Sequence, residues 1–291
     1  AGTRPATPGD RSNAADRLNT ADRAGDLNRA GNLENRPAAN AAQNRDRVDG
    51  RQDRRDTLAD NRAGKIDDLD QRRDDRSQRR DEVRDQVRDN HPRYDFWKDN
   101  PNYARWRWNR PYRWATWGAI STWFPWGQSQ PIRYNYGDNV YYSDNSVYYG
   151  DQPIASSDEY AEQASTIADS AVEPTDETDW MPLGVFALTQ DGEASGPAPS
   201  LYLQLAVSKE GAIAGTLYNS ETDTSKEIEG AVDKETQRTA WVAEGAQWPI
   251  METGISNLTE DEFAALVHFE DGQTQQWLMV RLEDPESDSG N

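Results

Sequence analysis

Leu201-Tyr202-Leu203-Gln204-Leu205-Ala206-Val207 and, beyond a Glu210-Gly211 turn, Ile213-Ala214-Gly215-Thr216-Leu217 place residues of alternating character along two consecutive runs. A repeat of two sends successive side chains to opposite faces, so each run reads as a strand with one face on a core. Working outward, the same reading predicts strands at 183–190, 226–233, 237–243, 263–269 and 273–282. Asp191-Gly192 and Asp271-Gly272 are hairpin-type dipeptides, because both residues tolerate positive φ. Seven strands with short turns over 180–283 indicate an antiparallel sandwich or barrel, at an ordinary size for one domain.

The sequence upstream changes character several times. Residues 1–43 are Ala, Asn, Arg, Asp and Gly with loose recurrences, and read as a flexible low-complexity arm. Residues 44–92 are dense in Arg and Asp and read as a charged helix. In it Arg80, Arg84 and Arg88 form one ridge and Asp81, Asp85 and Asp89 the next. Pairs such as Asp81–Arg84 and Asp85–Arg88 would each contribute about 0.2–0.5 kcal/mol. Val83 and Val87 add a thin apolar stripe, Asn90-His91-Pro92 is the stop, and the expectation is a solvated, fraying helix.

Residues 93–136 hold seven of the eleven tryptophans, cut into short pieces by prolines. A helix within Tyr112–Phe124 would align Trp117, Ile120 and Phe124. Residues 137–172 read as a tyrosine hairpin, Val140–Asp144 against Val147–Asp151, and a short helix opened by a Ser156/Glu159 capping box. That helix aligns Tyr160, Ala164, Ile167 and Ala171. An acidic linker, 173–179, and an acidic tail, 284–291, flank the β domain. The fold class is therefore multi-part: a low-complexity arm and charged helix, a Trp/Tyr-rich α+β middle, and a C-terminal all-β domain.

Only 34% of residues are hydrophobic and the net charge is −20. Residues 151–291 carry 29 acidic and 5 basic side chains, whereas residues 1–90 are nearly balanced, with 19 and 20. A balanced Arg/Asp arm and an acidic domain both argue against nucleic acid, since each Arg has a carboxylate competing with phosphate. Cysteine is absent, which excludes disulfides and thiolate metal sites. No run approaches the roughly 18 apolar residues of a membrane span. The first residue is Ala1 rather than Met, which suggests a removed leader.

Several longer motifs carry a resemblance. Arg84-Asp85-Gln86-Val87-Arg88-Asp89-Asn90-His91-Pro92, Arg110-Pro111-Tyr112-Arg113-Trp114-Ala115-Thr116-Trp117-Gly118, Trp180-Met181-Pro182-Leu183-Gly184-Val185-Phe186 and Pro249-Ile250-Met251-Glu252-Thr253-Gly254 are among them. Across about residues 80–283 the chain resembles planctomycete exported proteins labelled cell-surface or mu-protocadherin-like. The resemblance implies export and surface association, and transfers no activity or site.

The sharpest chemical candidate is the basic aromatic stretch Arg105, Trp106, Arg107, Trp108, Arg113, Trp114 and Trp117. Interleaved cations and ring faces can stack on sugars or nucleobases, but they can equally form a small core tied by cation–π contacts. The tail Asp284-Pro285-Glu286-Ser287-Asp288 spaces carboxylates like the start of a calcium loop, without the following Gly and Glu in register. His91 and His268 are the only histidines; His268 lies on a strand facing opposite to Val267 and Phe269, and no nucleophile elbow accompanies them. Asn257-Leu258-Thr259 is a glycosylation sequon. These observations predict no catalytic residues, no metal site and no cofactor. The expected protein is an exported, extracellular or cell-surface structural or interaction protein whose partner is a protein, a cell-envelope glycan or a further copy of the chain. The alternative is a β-barrel binding module for a small molecule or glycan.

Overall fold

The structure, a computed structural model, describes residues 68–91, 115–127, 130–175 and 177–283. The β domain is a closed barrel of eight antiparallel strands: β4 (Trp180–Gln190), β5 (Leu201–Ser208), β6 (Ala212–Asn219), β7 (Thr224–Val232), β8 (Arg238–Ala243), β9 (Ile250–Gly254), β10 (Glu262–His268) and β11 (Thr274–Arg281). Every strand pairs with its sequence neighbours, and β11 returns to β4 with Trp277 opposite Gln190 and Arg281 opposite Phe186. Seven of these strands correspond to the runs read from the sequence. The eighth, Ile250–Gly254, was not expected, because a five-residue segment with Glu at its centre shows no clean apolar alternation. It bridges β8 and β10, so the sheet closes and has no open edge.

Alternation directs Phe186, Leu203, Leu205, Ile213, Trp241, Met251, Phe263, Val267 and Met279 into one buried cluster inside the barrel. An eight-stranded barrel is just wide enough for side chains to fill it. One mouth is closed by α2 (Trp117–Trp123), which Thr116 caps by accepting from the Ala119 amide. Ile120 and Phe124 of this segment are buried in the same cluster, and half-buried Trp117, Trp123 and Trp126 pack around them. Lys209 and Lys234, from two barrel turns, lie 5.0 Å from the Trp123 ring and 5.4 Å from the Phe124 ring. At the same mouth Arg281 is fully buried, donates to the carbonyls of Leu183, Leu258 and Glu260, and has its pKa pushed down to about 10 by burial. Gly184 is required there: a Cβ on it would stand 2.2 Å from Arg281 Nη1.

Two layers cover the outer wall. The first is a three-stranded sheet, β1 (Val140–Ser143), β2 (Ser146–Tyr149) and β3 (Gln152–Ser156), followed by α3 (Ser157–Ala168). The hairpin turn places Asp144 and Asn145 at φ 49° and 59°, as a two-residue turn between twisted strands requires. The capping box forms as read: the Glu159 amide donates to Ser156 Oγ and the Ser156 amide to the Glu159 carboxylate. Tyr160, Ala164, Ile167 and Ala168 face the barrel.

The second layer is α1, residues 68–90; the arm 1–43 and residues 44–67 of the charged stretch lie outside the described residues, and for 68–90 the expectation of a solvated, fraying helix is corrected. Val83 and Val87 are fully buried against Val185, Ala187, Tyr202, Leu278, Val280 and Leu282. Arg79 is 2% exposed and donates to Thr189 Oγ1 at 2.9 Å and Gly196 O at 3.1 Å. Arg76 pairs with Asp191, Arg80 with Glu262 and Arg84 with Glu283. The local Asp85–Arg88 pair forms at 3.0 Å, whereas Arg84 turns from Asp81 toward the barrel. Asp70, Asp74, Asp81, Asp85 and Asp89 stay exposed. A balanced sequence thus folds into a helix with a cationic face on an acidic barrel and a net anionic face to solvent, where the aspartates outnumber the exposed Arg72, Arg73 and Arg88. Spacing along the helix alone could not reveal this, because the barrel's acids supply the second set of partners.

Candidate functional site

Of the basic aromatic stretch, Arg105, Trp106, Arg107, Trp108, Arg113 and Trp114 lie outside the described residues. Trp117 is described, and it belongs to the plug: its ring centre lies 6.0 Å from that of Trp126 and it packs on the barrel core. The structure therefore gives Trp117 a packing role. The acidic tail 284–291 also lies outside the described residues. Among the described residues, no three His, Asp or Glu side chains converge as metal ligands, and no helix is long and apolar enough to cross a membrane.

The strongest concentration of chemistry is a polar cluster between the outer wall of β8–β10 and the layer over it. Arg238 of β8, Glu252 of β9 and His268 of β10 point outward, opposite to Trp241, Met251 and Val267, and are covered by Tyr136, Tyr142 and Tyr160. The Glu252 carboxylate is fully buried; it accepts from Tyr136 OH at 3.0 Å and from the Arg238 guanidinium. Arg238 also donates to Gln163 Oε1 at 2.7 Å and Tyr160 O at 3.1 Å, with the Tyr160 ring 3.7 Å from its Cζ. His268, 1% exposed, shares a 2.9 Å hydrogen bond between Nδ1 and Thr274 Oγ1.

Thr274, His268 and Glu252 thus line up as hydroxyl, imidazole and carboxylate, the order of a nucleophile relay. The distances tie the carboxylate first to other partners. His268 Nε2 lies 3.8 Å from Glu252 Oε1, beyond hydrogen-bond range, while the carboxylate is already held by Tyr136 and Arg238. A relay needs the carboxylate to orient the imidazole; here it anchors an arginine. Burial opposes charge on both partners, yet Arg238 holds the Glu252 carboxyl below its usual range, and Glu252 raises the Arg238 pKa. Burial also pushes the phenols of Tyr134, Tyr136 and Tyr160 well above their ordinary value.

A pH dependence follows. A carboxyl with a lowered folded pKa stabilises the fold fully above the ordinary glutamate value of 4.5, and that contribution is lost as pH falls through the lower folded value. The stability difference between the wild-type chain and a Glu252→Gln variant is therefore expected to be constant above about pH 5 and to narrow below pH 4.5. Urea titrations of both proteins across this range check it; a gap that widens in acid would contradict the assignment.

Sequence reasoning placed His268 on the face opposite Val267 but missed its partners. The available signal was one Arg in the run Arg238-Thr239-Ala240-Trp241-Val242 and one Glu in Ile250-Met251-Glu252, opposite charges in otherwise apolar strands. Asn257 of the sequon is 5% exposed and its amide donates to Tyr134 O at 2.7 Å and Thr253 Oγ1 at 3.0 Å, so in the folded chain it ties the covering layer to the barrel. No family model, no curated protein and no solved structure matches the chain. The functional reading consequently rests on the residues themselves.

Proposed function

We propose that the chain is an exported structural or interaction protein of the cell surface without catalytic activity, in which the barrel is a rigid anchor. Its partner in this reading is a protein or a cell-envelope glycan, met by the aromatic and charged parts outside the barrel. The observation that carries the proposal is the filled and plugged interior: Leu203, Leu205, Ile213 and Val267 are buried together with Trp241, and α2 closes one mouth. A small-molecule site is a concave space of several hundred Å3 with a few convergent polar groups, and side chains occupy that space here. Arg238, Glu252 and His268 face outward, and the first two join the covering layer to the wall, which supports a mechanical role for them.

Protease shaving of intact source cells tests the reading. Peptides of this chain are expected in the shaved fraction before lysis. Recovery only from the cytoplasmic fraction of lysed cells would overturn export, and a stoichiometric small molecule retained by the purified chain would overturn the anchor reading.

A further inference from the structure

The outer face of the hairpin carries a feature that neither the core nor the proposed function uses. Tyr141 of β1 and Tyr148 of β2 are directly opposite each other in the register. Their ring centres lie 5.2 Å apart with the ring planes at 5°. The next residue in each strand, Tyr142 and Tyr149, turns inward onto the cluster of Tyr134, Tyr136, Val140 and Val147. Tyr141 and Tyr148 therefore face away from that cluster, and both are half-exposed. Other tyrosine pairs among the described residues are wider, with centres 6.2 Å apart for Tyr134–Tyr149 and 6.3 Å for Tyr134–Tyr136, Tyr142–Tyr160 and Tyr202–Tyr218. Each of those includes a ring buried to about 1% exposure, Tyr134, Tyr160 or Tyr202.

We propose that Tyr141 and Tyr148 form an oxidative cross-linking site, joined as dityrosine by hydrogen peroxide and a haem peroxidase. Each phenol gives up one electron and its hydroxyl proton and becomes a phenoxyl radical. The radicals couple through one ortho carbon of each ring, and the two ortho hydrogens move to the phenol oxygens as aromaticity returns. The pair loses two electrons and two protons in all, and these reduce one peroxide to two waters. The hairpin supplies what solution chemistry lacks, two radicals held side by side, so that coupling becomes intramolecular. The rings turn about their Cβ–Cγ bonds to bring the ortho carbons together, which half-exposed side chains permit. The product ties β1 to β2 covalently in a chain that has no cysteine to do so. The assignment is independent of the proposed function, since it rests on ring geometry alone.

The full-length protein, dilute and monomeric, is treated with peroxide and peroxidase, with free N-acetyltyrosine in a parallel reaction as a control for the oxidant. Cleavage before aspartate separates residues 138–143 from 144–150. These two peptides are expected to remain joined after oxidation, lighter by two hydrogens than their sum. The joined peptide is expected to disappear in Tyr141→Phe and in Tyr148→Phe, each of which keeps the ring and the fold, and to persist in Tyr142→Phe. Separated peptides while N-acetyltyrosine couples, or a joined peptide that survives either of the first two substitutions, would overturn the site.

Discussion

Glu252→Gln is expected to lower the free energy of unfolding by about 3–5 kcal/mol, the range for removing one partner of a buried ion pair. The substitution changes little in shape and leaves an acceptor for Tyr136 OH. What it removes is the only carboxylate among the described residues bonded to Arg238, a guanidinium 4% exposed beneath α3 and the Tyr160 ring. Arg238 does not shed its proton at neutral pH to relieve the cost, because a guanidinium is too basic to do so. Urea unfolding is the measurement, read as a fall in midpoint at unchanged slope. A double variant, Arg238→Met with Glu252→Leu, is expected to lie closer to wild type than the single one, because a well-packed apolar pair replaces a buried charge pair at little cost. A single variant within about 1 kcal/mol of wild type would show that the pair is not held away from solvent.

Trp241→Ala should be comparably damaging, at about 3–5 kcal/mol. The side chain is fully buried in the barrel interior beside Met251, and its cross-strand neighbour on β7 is Gly230. That glycine cannot be enlarged to fill the space left behind, since a Cβ on it would lie 2.2 Å from the Ala240 carbonyl oxygen. The Trp241 indole Nε1 has no hydrogen-bond partner among the described residues, so the expected loss is one of packing, and Trp241→Phe should retain most of the stability. The same unfolding assay reads it. A loss below about 1 kcal/mol would mean that the interior is loosely filled, which would also reopen the reading of the barrel as a container for a ligand.

Particular residues show how much was legible in the sequence. Ser156 and Glu159 announced a helix start, and the repeat of Val140–Asp144 in Val147–Asp151 a hairpin, because caps and turns depend on residues a few positions apart. The runs at 201–207 and 213–217 announced strands for the same reason. The closing strand at 250–254 did not announce itself, because Glu252 interrupts its apolar pattern; the residue is tolerated only because Arg238, Tyr136 and the covering layer meet it from elsewhere in the chain. The candidate site divided in the same way. His268 could be assigned to a face, but its 3.8 Å separation from Glu252 is not encoded by spacing along the chain.

What the sequence determined by itself was the partition of the chain and the local elements: where charge, aromatics and alternating strands begin and end, each set by composition, turns and caps over short distances. The tertiary structure alone decided between sandwich and barrel, turned Trp117 from a surface candidate into part of a plug, and converted the Arg/Asp helix from a solvated rod into a docked one. The reason is the same in each case. Closure of a sheet, filling of its interior and the choice between a nearby aspartate and a distant glutamate depend on contacts between residues far apart in sequence. Only the folded chain brings Arg84 to Glu283 or Glu252 to Arg238.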